Sequence, residues 1–248
     1  MQSEDHYIEK TIKAVGKAIN RYGLIKKDDR VAVALSGGTD SLVLLESLAL
    51  RKKRLPIDYF LAAVHVEISE GFYRSDRGHL EEFCGRLGVP LVWRTISLGI
   101  DADFRETPCF ICSKKRRNEL FKAADELGCR ALAFGHHMDD AIETLMLNMV
   151  FSGSMSSMPP SLEIFGGALK IIRPLILITG EDVKRYAGIR GFKGQMKECR
   201  FGSDTKRNEM RRIIAEFQHM NKKARTNIFR AMSNIHGMYL PPRKTGQE

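Results

Sequence analysis

Val31-Ala32-Val33-Ala34-Leu35-Ser36-Gly37-Gly38-Thr39-Asp40-Ser41 reads as a buried strand that stops at two glycines and turns into a helix. Glycines at such a corner allow a tight turn and leave backbone N–H groups exposed. The helix that follows, from Leu42 onward, presents its positive end to the same place. Ser36 and Ser41 add hydroxyl donors, so the stretch is suited to a phosphate. Asp40 does not belong in a bare anion cradle, and the reading assigns it to Mg²⁺ or to ordering the loop. No Gly-Lys-Ser/Thr follows at the Walker spacing.

Outward from this corner, strands and helices alternate. Tyr7, Ile8, Ile12, Val15 and Ile19 recur at helical spacing. Strands are expected over 59–66, 91–96, 131–134 and 171–175, and helices over 79–87, 113–127 and 139–150. Residues 152–170, rich in Ser, Met, Pro and Gly, read as a loop or lid. Helices close the chain over 181–189, 206–217 and 223–235. The fold class is α/β: a parallel, doubly wound sheet with helices on both faces. It should fill residues 1–175, and residues 176–248 should be a helical, basic appendage.

A second polar corner follows the strand at 131–134: Gly135-His136-His137-Met138-Asp139-Asp140, then Glu143. Asp139 and Glu143 are four apart and share a helix face, where carboxylates can hold Mg²⁺ or nucleotide hydroxyls. His136 and His137 lack a third ligand at metal spacing and read as nucleotide-contacting or structural. His65, late in its strand, reads as a lining residue.

Hydrophobic residues make up 43 % of the 248, enough for a sizeable core. No apolar run approaches the length of a membrane helix, and the acidic start is unlike a signal peptide. The expected location is the cytoplasm. Net charge is +10, unevenly placed. Residues 184–248 carry 16 Lys and Arg against 5 Asp and Glu, a balance of +11, so the rest sums to −1. A basic end on a near-neutral body suggests a polyanionic partner.

The five cysteines are an odd number, which argues against a disulfide framework. Cys109 and Cys112 form a C-x-x-C that leads into Lys114-Lys115-Arg116-Arg117, and Cys199 lies far off in the basic end. Two close thiolates and a distant one can hold an iron–sulfur cluster with one open iron. Zinc and a thioredoxin-like pair are rivals. Cys84 and Cys129 read as packing residues.

Taken together, Ser36 to Ser41, Cys109 to Cys112, Gly135 to Asn148, Met158-Pro159-Pro160 and Ile172-Arg173-Pro174-Leu175 resemble the tRNA 2-thiocytidine biosynthesis (TtcA-type) family of PP-loop ATP pyrophosphatases. The resemblance implies an adenine-nucleotide alpha-hydrolase-like (HUP) sheet, ATP with Mg²⁺, and a homodimer. It also implies a [4Fe-4S] cluster on Cys109, Cys112 and Cys199, and thiolation of cytidine 32 in the tRNA anticodon loop. The nucleotide residues it implies are Ser36, Gly37, Gly38, Thr39, Asp40, Ser41, His65, Gly135, His136, Asp139, Asp140, Glu143 and Arg173. A cysteine desulfurase would supply the sulfur. The chain departs from the pattern twice. Thr39 stands where the family usually has Lys, with Arg173 or Lys114 as candidates for the missing charge. The third cysteine region has Cys199 alone where a C-x-x-C is common. Rival readings are a tRNA-Ile lysidine synthetase-like enzyme, which shares the glycine loop without needing three thiolates, and a non-catalytic iron–sulfur RNA-binding protein.

Overall fold

Five short stretches line up in parallel, and the central ones are buried on both faces. In the computed structural model, which describes residues 2–54, 57–70, 75–99, 108–194 and 205–241, these are β1 (Arg30–Ala34), β2 (Phe60–Ile68), β3 (Leu91–Ile96), β4 (Ala131–Ala133) and β6 (Leu169–Ile172). A sixth strand, β5 (Ser161–Ile164), pairs antiparallel with β6, and the order is β3-β2-β1-β4-β6-β5. The parallel pairs run in register from Val31↔Leu61 and Val31↔Ala131 outward.

Helices α1 (Gln2–Tyr22), α2 (Thr39–Arg54), α3 (Arg77–Leu87), α4 (Pro108–Glu126) and α6 (Gly180–Ile189) surround this sheet. Side chains alternate along a strand. Ala32, Ala34, Val64, Val66 and Leu132 pack with Leu120, Ala123 and Ala124 of α4. Helices α1, α2 and α6 pack together as a separate layer, joined by polar bonds. Tyr7 bonds Asp182, and Glu46 of α2 accepts from Tyr186 at 2.6 Å and from Arg190 at 3.1 Å. The mainly parallel sheet with helices is the fold class expected from the alternation.

The chain divides into two compact units, Met1–Met138 with Pro159–Ser203, and Asp139–Met158 with Asp204–Glu248. The expected boundary at residue 175 falls inside the first unit, because α6 is tied to α1 and α2 by those bonds. The second unit comprises most of α5 (Met138–Ser152), α7 (Thr205–Met220), α8 (Ala224–Ala231) and a 3₁₀ turn at Gly237–Tyr239.

Three local expectations need correction. The stretch 152–170 is not all loop: it contains β5, and Phe165, Gly166 and Gly167 turn it into β6 with φ of 53°, 64° and 90°. The four residues of β5 give a weak strand signal, and pairing with β6 decides it. Helix α4 starts at Pro108 rather than at Ser113, so the C-x-x-C lies in its first turn. Helix α8 stops at Ala231, short of Ile235. Among the described residues, no helix is long and apolar enough to cross a membrane.

Candidate active site

In a parallel sheet every strand delivers its following loop to one edge. Strand β1 is followed by connections to β2 on one side, while β4 lies on the other, so the β1/β4 boundary is a topological switch point. Such a boundary opens a crevice at the carboxyl ends of the strands. The glycine loop leaves β1 there, and Gly135-His136-His137 leaves β4 beside it.

The loop is held open by its own serines. Ser36 N–H donates to Ser41 Oγ at 3.1 Å, Ser41 Oγ–H donates to Gly38 O at 2.8 Å, and Gly38 N–H donates to Ser36 Oγ at 3.2 Å. Gly37 takes φ 81°, a conformation that favours glycine. Ser75 Oγ–H braces Ser36 O from 3.3 Å. Among the described residues, the Gly37 and Thr39 amides donate to no protein acceptor. Free N–H groups at the head of α2 match a phosphate, so the loop fits the nucleotide implied by the sequence. Asp40 sits in the first turn of α2, with Thr39 Oγ1 3.4 Å from its Oδ1.

Gly135 explains itself by distance. A Cβ there would lie 3.0 Å from Asp40 C and 3.1 Å from Ser41 N, so any other residue would push the two corners apart by a few tenths of an ångström. His136 stacks on Phe134 with centroids 5.6 Å apart. His65 is fully buried. A carbonyl can only accept, so its Nδ1–H donates to Leu35 O at 2.8 Å, and its ring lies against Trp93. Burial pushes its pKa down, opposed by that backbone bond, so the ring is neutral. It props the strand end beneath the loop. Arg173 closes β6, 8 % exposed, with Nη1–H donating to Pro159 O at 2.6 Å.

Helix α4 begins at this same edge, because it must return the chain to the start of β4. Its first turn carries Cys109, exposed, and Cys112, half-buried against Ile68 and Leu98. Three residues apart on a helix, they share a face. Glu70 builds the floor: its Oε1 accepts from Ser97 Oγ at 2.7 Å and from the Leu98 and Gly99 amides at 2.6 and 3.2 Å. Its pKa settles at about 2, burial pushing it up and the Ser97 bond with its companions pulling it further down. By contrast Cys84 and Cys129 are buried, and desolvation pushes the Cys84 thiol up to about 12. Two soft donors at an open helix end fit an iron–sulfur cluster. Among the described residues, no three His, Cys, Asp or Glu side chains gather into a metal site. Cys199, the expected third thiolate, lies outside the described residues. The chain enters that stretch from beside the glycine loop, since a Cβ on Gly194 would lie 3.9 Å from Thr39 Cγ2.

The second unit has its own charge cluster. Glu143 is 3 % exposed and its Oε1 accepts from Arg211 Nε at 2.8 Å, with Arg207 Nη1 at 3.9 Å from Oε2. Asp139 Oδ1 lies 3.0 Å from Arg225 Nε. The expected face shared by Asp139 and Glu143 therefore exists, but in this structure it holds arginines of α7 and α8. Asp140 follows Asp139, half-buried.

A family model described as a PP-loop domain matches residues 5–218. The tRNA-cytidine(32) 2-sulfurtransferase of Pelobacter propionicus is 34 % identical over 92 % of this chain and 86 % of its own length. That of Geotalea uraniireducens is 33 % identical over 97 % of both. This chain belongs to the PP-loop tRNA-cytidine(32) 2-sulfurtransferase family. Among solved structures, the U34-tRNA thiolase NcsA from Methanococcus maripaludis with its [4Fe-4S] cluster superposes with a TM-score of 0.73 at 25 % identity. The match covers 94 % of this chain and 81 % of that one.

Within this family frame, the first unit brings together Ser36 to Ser41, Gly135, His136 and Arg173 at the sheet edge where Cys109 and Cys112 also lie. The reading from sequence missed Glu70, Ser75 and the arginines at 207 and 211. Glu70 and Ser75 act on backbone far away in sequence. The arginines looked like solvated members of a basic run.

Proposed function

We propose that this protein is an ATP-dependent tRNA thiolase that replaces the C2 oxygen of cytidine 32 with sulfur. The observation that carries the reading is the delivery of a phosphate-binding loop and a thiolate pair to one edge of one sheet. The names of the 2-sulfurtransferase relatives and of the NcsA structure support the substrate and the cluster.

In this reading the Gly37 and Thr39 amides and the head of α2 bind the triphosphate and stabilise the charge that grows on the pyrophosphate. Asp40 holds Mg²⁺. The cytidine O2 attacks the α-phosphorus of ATP, pyrophosphate leaves, and the C2–O bond becomes a phosphate ester able to depart. Cys109, Cys112 and Cys199 hold the cluster. When bound, the cluster would supply an iron without a protein thiolate as a seat for sulfide. AMP leaves with the original oxygen. Glu70 holds Leu98, against which Cys112 packs, and so orients that thiol. The protein acts in the cytoplasm, as a homodimer, with sulfur supplied by a cysteine desulfurase. The basic residues from 184 onward bind the tRNA phosphates.

Two variants measured side by side test this. Cys109→Ala should lose visible cluster absorbance and all 2-thiocytidine, yet keep ATP affinity. Asp40→Ala should keep the iron and lose thiolation by roughly a hundredfold or more. Parental thiolation by Asp40→Ala would sink activation at this loop, and parental iron in Cys109→Ala would sink the cluster site.

A further inference from the structure

Lys114-Lys115-Arg116-Arg117 reads in sequence as one basic run, yet its first two members do different things in the structure. Lys114 Nζ lies over the Phe110 ring, 5.8 Å from its centroid. Lys115 Nζ instead crosses to the segment that follows β3, where it donates to Leu98 O at 2.5 Å and to Ser97 O at 3.4 Å. Residues three apart on a helix share a face, so Lys115 lies one turn beyond Cys112 on the same side of α4.

Leu98 is therefore gripped at both ends of its backbone. Its carbonyl accepts from Lys115. Its amide donates to Glu70 Oε1 at 2.6 Å, beside the Ser97 hydroxyl at 2.7 Å and the Gly99 amide at 3.2 Å. Ser69 Oγ–H holds the other carboxylate oxygen, Oε2, at 2.9 Å. The Leu98 side chain is buried, and Cys112 packs against it and Ile68. The contacts close a ring: Cys112 meets Leu98, Leu98 O meets Lys115, and Lys115 returns along α4 to Cys112. Glu70 and Lys115 are both exposed, where single polar bonds add little to global stability. Their effect is local, because all of them converge on residues 97–99 and fix where that segment stands.

We infer that Lys115, acting with Glu70, is a positioning residue for the thiolate pair. It latches the first turns of α4 onto segment 97–99 and sets the Cys112 sulfur before any cluster is bound. This rests on the iron–sulfur reading above and adds the residues that hold the ligand-bearing end of the helix. Groups that orient a metal ligand typically change metal affinity by about 10- to 100-fold when removed.

The experiment uses the full-length protein, reconstituted anaerobically with iron and sulfide, and its K115M, K115R, E70A and K114M variants. K115M keeps the aliphatic stem, K115R keeps charge and donors, and K114M removes the same charge one residue away. The altered side chains are exposed, so the variants should fold. Two rates are measured: stripping of iron by a chelator, and alkylation of Cys109 and Cys112 by iodoacetamide in the apoprotein, resolved by mass spectrometry. K115M and E70A should lose iron about tenfold faster than the parent, with K115R and K114M within about twofold. In the same two variants Cys112 should be alkylated faster, while Cys109, already exposed, should keep its rate. A parental stripping rate in K115M overturns the latch. An equal rise in K114M overturns it too, because charge alone then acts. So does an equal quickening of both cysteines, because the loosening is then general. If the parental protein takes up no iron, the cluster reading falls and alkylation decides the latch: faster Cys112 in K115M sustains it, and a parental rate overturns it.

Discussion

The edge of the sheet and the charge cluster on α5 are both rich in ionisable groups, and they are built in opposite ways. At the sheet edge, the acceptors and donors that matter are held by backbone: Ser36, Gly38 and Leu35 lock the loop, and its Gly37 and Thr39 amides stay open. In the second unit, carboxylates and guanidiniums pair as ions, Glu143 with Arg211 and Asp139 with Arg225. The first arrangement leaves backbone donors open. The second sets charge against charge and joins α7 and α8 to α5. Charged residues alone do not mark a site; what marks it is a polar group whose partner is still to come.

That contrast breaks if the α5 cluster proves dispensable. Glu143→Gln leaves Arg211 and Arg207 without their counter-charge, and it should cost about 2–4 kcal/mol in urea unfolding, since Glu143 is buried while Arg211 is partly solvated. An unchanged midpoint would mean that the cluster is a solvated network and that its carboxylates remain available for Mg²⁺.

Salt dependence sharpens the contrast next. Lys222 and Lys223 are exposed and form no ion pair among the described residues, whereas Arg225 is held by Asp139. Reversing Lys222 and Lys223 should lower tRNA affinity and reduce the salt slope by about 2. Reversing Arg225 should instead destabilise the second unit. A salt slope untouched by the lysine pair would move the RNA surface elsewhere.

The smallest effect concerns His65. Its folded pKa lies below the ordinary value near 6.5, so below that pH the unfolded chain takes up a proton that the folded one does not. Its contribution is therefore fully present above pH 6.5 and is lost as pH falls from there, with a slope of at most about 1.4 kcal/mol per unit. His65→Asn should flatten that slope between pH 6.5 and 5.5 in chemical denaturation. An equal slope in both proteins would show that the ring is not held neutral beneath the loop.

The sequence by itself determined the alternation of strands and helices, the glycine corner after β1, the polar corner after β4 and the reading of Cys84 and Cys129 as packing residues. These are local: hydrophobic runs, turn residues and spacing act within a dozen positions and are written in order along the chain. Tertiary structure decided what distance in sequence hides. β5 exists because β6 pairs with it. Glycine fits at 135 without displacing its neighbour because Asp40 C lies 3.0 Å from where a Cβ would be. Glu70 seats Leu98 from 28 residues away. The carboxylates of α5, read as metal or nucleotide ligands, are claimed by arginines more than sixty residues further on. Nothing in a single pass along the chain reveals which charge a buried carboxylate will meet, because that is set by packing of α7 and α8, not by the residues beside it.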